Sequence, residues 1–139
     1  MAVATLTTRI APPGSLHITA DLASGGAVVT LAGELDVATA PAVEATCLDT
    51  FGAYPYPQVV VDVAGLFFCD CAGLNALLHV HRAAIARGGW VRLCGAAPGL
   101  RKVLAITGLA SALRCYSTVA DACADVAQST SDQRRREQP

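Results

Sequence analysis

Charge is scarce in this chain: 15 % of its 139 residues are Asp, Glu, Lys or Arg, ten basic against eleven acidic, for a net charge of −1. Such a balance creates no field that would draw in nucleic acid, and no basic stripe crosses the central region. Nucleic acid is therefore not an expected partner. A membrane span is also missing, since the longest apolar stretch, 59–69, carries Asp62 and is too short to cross a bilayer. No basic, apolar, small-residue leader opens the sequence, so the expected location is cytoplasmic. The six cysteines, Cys47, Cys69, Cys71, Cys94, Cys115 and Cys123, are accordingly read as reduced thiols, mostly small buried hydrophobes, rather than as three disulfides. Zinc-site spacing is lacking too: Cys69 and Cys71 form C-x-C with no second close pair and no His-x-x-x-His partner. His79 and His81 stand two apart on a predicted helix, which splays them by about 200 degrees and prevents joint metal binding. Gly88, Gly89 and Gly95 fit turns, not a dinucleotide fingerprint. Neither a metal nor a cofactor is expected.

What the chain does have is apolar residues, 53 % of the total and many of them alanine, in a length that suits one domain covered on both faces of its sheet. Leu16, Ile18, Ala20 and Leu22 alternate with polar neighbours as a half-buried strand does. Ser24-Gly25-Gly26 supplies residues that accept positive φ, and Val28 to Leu35 follows with Val29, Leu31 and Leu35 on one face, giving a hairpin. The period then changes: Thr39 caps, Pro41 suits a first helical turn, and Val43, Cys47 and Phe51 recur at helical spacing. After a linker over 52–57, the β-branched Val59-Val60-Val61-Asp62-Val63 reads as a central strand buried on both faces. Leu74, Leu77, Leu78 and Ile85 mark a second helix that Gly88-Gly89 ends. Trp90 to Cys94 is a further strand. Pro98 opens a third helix with a stripe of Leu100, Val103 and Leu104, which Gly108 ends. Leu113 to Tyr116 suits an edge strand, and Thr118 with Asp121 caps a last helix carrying Val119, Ala122, Cys123 and Val126.

The fold class expected is α/β: a mixed β-sheet with parallel central strands, a hairpin at the start and about four helices. Residues 1–14 and 128–139 lack periodicity and are read as flexible ends, with Arg134, Arg135 and Arg136 solvated, around a single domain over 15–127.

The most informative segment runs from Asp62 to Leu78, out of a buried strand, through a short loop and into a helix. Asp70 suits the N-cap, where its carboxylate accepts from first-turn amides and faces the positive helix end. Asp36 and Asp70 are expected at the same edge of the sheet. As a pair they invite an acid/base reading, but with no nucleophile, metal cluster or phosphate loop beside them, a cap and a polar rim for a partner is the better one. Asp62 is read as a satisfied structural carboxylate, and Trp90 and Tyr116 as core supports. Thr107, Ser111, Ser117 and Thr118 are each covered by a cap or turn role.

This segment resembles the signature of STAS domains, the family shared by anti-sigma factor antagonists and the cytoplasmic tails of sulfate transporters, in which a strand leads into Asp-Ser-Ser-Gly-Leu. Asp70, Gly73 and Leu74 match that signature. Leu31-Ala32-Gly33-Glu34-Leu35-Asp36 is similar to the family's Gly-x-Leu-Asp, and Ile106-Thr107-Gly108-Leu109 to the pattern closing the third helix. Together these resemblances cover about residues 15–127.

The resemblance implies a non-enzymatic switch that binds an anti-sigma factor, itself a serine kinase of the GHKL type, and so frees a sigma factor. Other STAS proteins are further expected partners. The implied partner surface comprises Asp36, Cys69, Asp70, Cys71, Ala72, Gly73, Leu74 and Asn75, centred on a loop from Cys69 to Gly73. The family's regulatory phosphoserine falls on Ala72, which has no hydroxyl, so a phosphate of about −1.5 to −2 charge cannot be placed there. Three explanations of that departure stay open: a permanently competent antagonist, a scaffold in a larger STAS assembly, and an oxidation-sensitive Cys71 in place of the phosphosite. A small-ligand or lipid-binding sensory module is the alternative from another class.

Overall fold

A computed structural model describes residues 4–11 and 16–124. Its elements run β1 (Ala4–Ala11), β2 (Leu16–Leu22), β3 (Ala27–Leu35), α1 (Ala40–Phe51), β4 (Gln58–Cys69), α2 (Cys71–Ala86), β5 (Trp90–Cys94), α3 (Pro98–Ile106), a 3-10 turn (Leu109–Ser111), β6 (Cys115–Tyr116) and α4 (Val119–Cys123). The six strands lie in sequence order. β1, β2 and β3 pair antiparallel, whereas β3, β4, β5 and β6 are parallel neighbours joined by helical crossovers. The mixed sheet with a hairpin, parallel centre and four helices agrees with the sequence reading. β1 puts paired backbone ahead of residue 15, where the sequence pattern starts the domain. The tail 128–139 and Val126 lie outside the described residues.

Alternation along the strands decides which face is dry. Leu16, Ile18 and Ala20 of β2, Val29, Leu31 and Leu35 of β3, and Val59, Val61 and Val63 of β4 are buried against Val43, Cys47 and Phe51 of α1 and Leu74, Leu77 and Val80 of α2. Leu104 of α3 and Leu113 complete this core. On the opposite face a smaller cluster of Val60, Cys94 and Ala122 is flanked by Val28, Trp90, Tyr116 and Val119. Trp90 and Tyr116 thus support a core, as expected. The Arg92 guanidinium stacks 3.6 Å from the Trp90 ring centroid and donates to the Ala122 carbonyl at 2.9 Å, tying α4 to β5.

Several local expectations are corrected. Among the described residues, the second face is covered only where α4 meets β4, β5 and β6, and the cross-strand pair His17 and Ala32 is exposed. Gly25 and Gly26 do not take positive φ; Gly26 is needed instead because a Cβ there would stand 2.5 Å from the Gln58 carbonyl oxygen. Ile85 is exposed, and Val80 and Ala84 continue the buried stripe of α2 in its place. Val103 likewise faces outward, leaving Leu104 as the buried anchor of α3. Thr39 does not cap through its side chain: buried, it donates to the Glu34 carbonyl at 2.9 Å and accepts from the Asp36 amide at 2.9 Å.

Other signals hold. Tyr54 anchors the 52–57 linker by donating to the Ala23 carbonyl at 2.7 Å. Thr118 caps α4 by accepting from the Asp121 amide at 3.1 Å. His79 meets Glu44 across α1 and α2 at 3.0 Å, while the His81 ring accepts from the Val91 amide at 3.3 Å, so the two imidazoles serve different neighbours. Burial, aided by the charge of Arg82, lowers the His81 pKa below its ordinary 6.5. A base whose folded pKa is depressed binds fewer protons folded than unfolded, so stability is full above about 6.5 and declines as the pH falls through that value. Urea unfolding followed against pH should show this decline, and His81→Gln should flatten it. An unchanged slope in the variant would assign the decline to other groups.

Candidate functional site

The site forms where β3 and β4 end side by side. β4 does not stop at Val63 to leave a loop: it stays paired with β3 through Leu35 and Cys69, and one residue, Asp70, separates strand from helix. The expected loop from Cys69 to Gly73 is thus a strand end, a cap and the first turn of α2. The Asp70 amide donates to the Leu35 carbonyl at 3.1 Å, locking the cap onto β3. Its carboxylate accepts from the Gly73 amide at 3.0 Å, as an N-cap does, and its carbonyl takes the Leu74 amide at 3.0 Å. No acidic residue stands in the first turn, so Asp70 alone faces the positive end of a 16-residue helix.

Asp36 occupies the matching position after β3. Its carboxylate accepts from the amides of Ala38 at 2.9 Å and Thr39 at 3.1 Å, closing a turn that holds Val37 out in solvent. Both carboxylates therefore stabilise turns at adjacent strand ends. Asp62 does the same within β4, accepting from the Ala64 amide at 3.0 Å.

The sequence-derived site residues divide by exposure. Cys71 and Asn75 are exposed, Asp36, Cys69, Asp70 and Ala72 half-buried, and Gly73 and Leu74 buried, so the last two shape the site without presenting side chains. Gly73 is glycine because α2 begins almost in contact with β3: a Cβ would meet Leu35 Cγ at 2.6 Å and the Leu35 carbonyl oxygen at 3.0 Å. Burial, with the nearby charge of Asp70, pushes the Cys69 thiol up to about 11, so it is protonated at neutral pH. The six cysteines are free thiols, of which Cys47 and Cys94 are buried and Cys71 and Cys123 exposed. Among the described residues, no three His, Cys, Asp or Glu side chains are grouped to hold a metal ion.

Sequence reasoning missed the apolar rim beside this helix start. Phe67 is 76 % exposed and Phe68 49 %, and Val37 and Val103 are exposed as well. Phe67, Phe68, Leu66 and Val63 from β4 face Leu100 and Val103 from α3 across a half-open cleft of about 230 Å³. A signal existed: Phe67 and Phe68 are consecutive in an extended chain, so one must leave the core face.

A family model for the STAS domain matches residues 17–122, from β2 into α4. The chain belongs to the STAS domain family. This STAS domain is similar in structure to an anti-sigma factor antagonist from Mycobacterium paratuberculosis, with 26 % identity, a TM-score of 0.70, and 84 % of this chain and 98 % of that one covered. It is similar also to the Bacillus cell fate determinant SpoIIAA in its phosphorylated form, at 24 % identity and a TM-score of 0.61 over 78 % of this chain and 98 % of that one. A murine anion transporter, solute carrier 26 family member A9, contains the same fold at 15 % identity and a TM-score of 0.64; 87 % of this chain matches 21 % of the transporter. No described helix of this STAS domain is long and apolar enough to cross a membrane. Comparison with curated protein sequences finds no match.

Proposed function

We propose that this STAS domain is a cytoplasmic anti-sigma factor antagonist: it binds a GHKL-type serine kinase that acts as an anti-sigma factor, and so frees a sigma factor for transcription. Its activity is binding, with no catalytic step. The observation that carries the reading is the start of α2, open to solvent at Cys71 and Asn75, with half-buried Ala72 at the family's phosphoserine position. The partner docks on Cys71, Ala72 and Asn75, on the turn that Asp36 holds, and on the apolar rim of Phe67 and Phe68. Apolar rings around a capped helix end provide the desolvated centre that such an interface requires. With no hydroxyl at Ala72, the kinase cannot switch this antagonist off at that position, and the domain stays competent.

Incubation with the cognate kinase and labelled ATP tests the reading. The native chain should bind the kinase without taking up label at position 72, and Ala72→Ser should gain about one phosphate per chain. Label on the native domain, or none on Ala72→Ser, would refute it. The apolar cleft between β4 and α3 gives support to a second reading, a sensory module for a small apolar ligand or lipid, or a scaffold among other STAS proteins. Native mass spectrometry separates the two, because an apolar ligand retained on the purified domain favours the sensor.

A further inference from the structure

On the other side of α3 from the apolar rim lies a second, chemically different cleft. It occupies about 300 Å³ at the carboxyl ends of β5 and β6 and is lined by Gly95, Ala96, Arg101, Cys115, Tyr116 and Ser117. Parallel α/β sheets commonly take their small ligands beyond the carboxyl ends of the strands. The floor is rigid. The Gly95 amide donates to the Tyr116 carbonyl at 2.9 Å and the Leu93 amide to the Arg114 carbonyl at 2.9 Å. Gly95 turns the chain at φ +74, with its α-carbon so near Ala64 that a Cβ would stand 2.7 Å from the alanine methyl.

We propose that this cleft binds a small phosphate monoester, with Arg101 holding the phosphate and Ser117 adding a hydroxyl donor. Among the described residues no carboxylate lines the cleft, so none opposes the Arg101 charge there. Among the described residues no ion pair engages Arg101; the thiol of Cys115 is the group on which its field acts. Burial holds that thiol above its ordinary 9.0 against the pull of Arg101, so the thiol stays neutral and leaves the positive charge intact. A planar guanidinium presents paired donors that match phosphate oxygens. The volume exceeds what a bare tetrahedral oxyanion fills, and the polar lining suits a sugar or polyol rather than an acyl chain. Leu100 and Val103 line the apolar cleft while Arg101 lines this one, so occupancy here leaves the proposed partner surface untouched.

Ribose 5-phosphate, inorganic phosphate and ribose, titrated separately into the full-length 15N-labelled chain, test the site. Ribose 5-phosphate should give saturable shifts confined to the amides of 95–96 and 115–117, with inorganic phosphate at least tenfold weaker and ribose without effect. Arg101→Gln should raise the dissociation constant at least tenfold with the rest of the spectrum preserved, since Arg101 is exposed. Scattered or unsaturable shifts, or native affinity in Arg101→Gln, would overturn the site; inorganic phosphate binding as tightly as the ester would overturn the ligand class.

Discussion

Replacing Gly73 with alanine should lower the unfolding free energy by about 1–2 kcal/mol, the balance of two opposed effects. Alanine in a helix is favoured over glycine by roughly 1 kcal/mol, which by itself would stabilise α2. Against this, inserting a methyl into a filled space costs about 1–3 kcal/mol. Here the methyl would meet Leu35 Cγ at 2.6 Å and Cys69 Sγ at 3.1 Å. Leu35 is fully buried, and its carbonyl is bonded to the Asp70 amide, so neither group can yield without moving the cap. The helix start must therefore lift from β3, and the Asp70 to Gly73 bond must lengthen with it. Urea denaturation measures the loss, and an alanine variant as stable as the native chain would show that α2 shifts freely.

Ala72→Glu should weaken kinase binding at least tenfold, about 1.4 kcal/mol, without loss of folding stability. Position 72 is the second residue of α2, where a carboxylate interacts favourably with the positive helix end by about 0.3–1 kcal/mol. The half-buried alanine methyl leaves room for a longer side chain to reach solvent. Fold and binding are thus separable: thermal unfolding should stay level or rise while the dissociation constant increases. In the proposed interface the new charge stands beside the desolvated rim of Phe67 and Phe68, where an unpaired carboxylate is costly to bury. Calorimetric titration with the kinase giving native affinity for Ala72→Glu would place the docking surface elsewhere.

Both expectations depend on features that differ in how far sequence reveals them. Asp70 was legible as a cap because an Asp before an apolar helical stripe acts within one turn, and that bond is present at 3.0 Å. Gly73 was legible only as a match to the family signature, because its cause is a residue 38 positions earlier, Leu35. The reach of β4 to Cys69 was hidden for the same reason: Ala64, Gly65 and Phe67 are exposed, so no dry face marks them as strand, and their pairing is imposed by β3 through contacts such as Ala32 with Gly65. The apolar rim went unread because the sequence pattern does not say on which side of a strand two adjacent phenylalanines fall.

The sequence by itself determined the order of strands and helices from β2 onward, the buried faces of β2, β3 and α1, the caps at Asp70 and Thr118, and the loss of a hydroxyl at position 72. Each of these is written within a few neighbouring residues, by period, branching or side-chain chemistry. Only the tertiary structure decided that β4 runs directly into α2, that Gly26 and Gly73 answer to close backbone approach, that Ile85 and Val103 face solvent, and that an apolar and a polar cleft lie on opposite sides of α3. Those depend on which distant segment arrives alongside, and packing between elements settles that through contacts no local window contains.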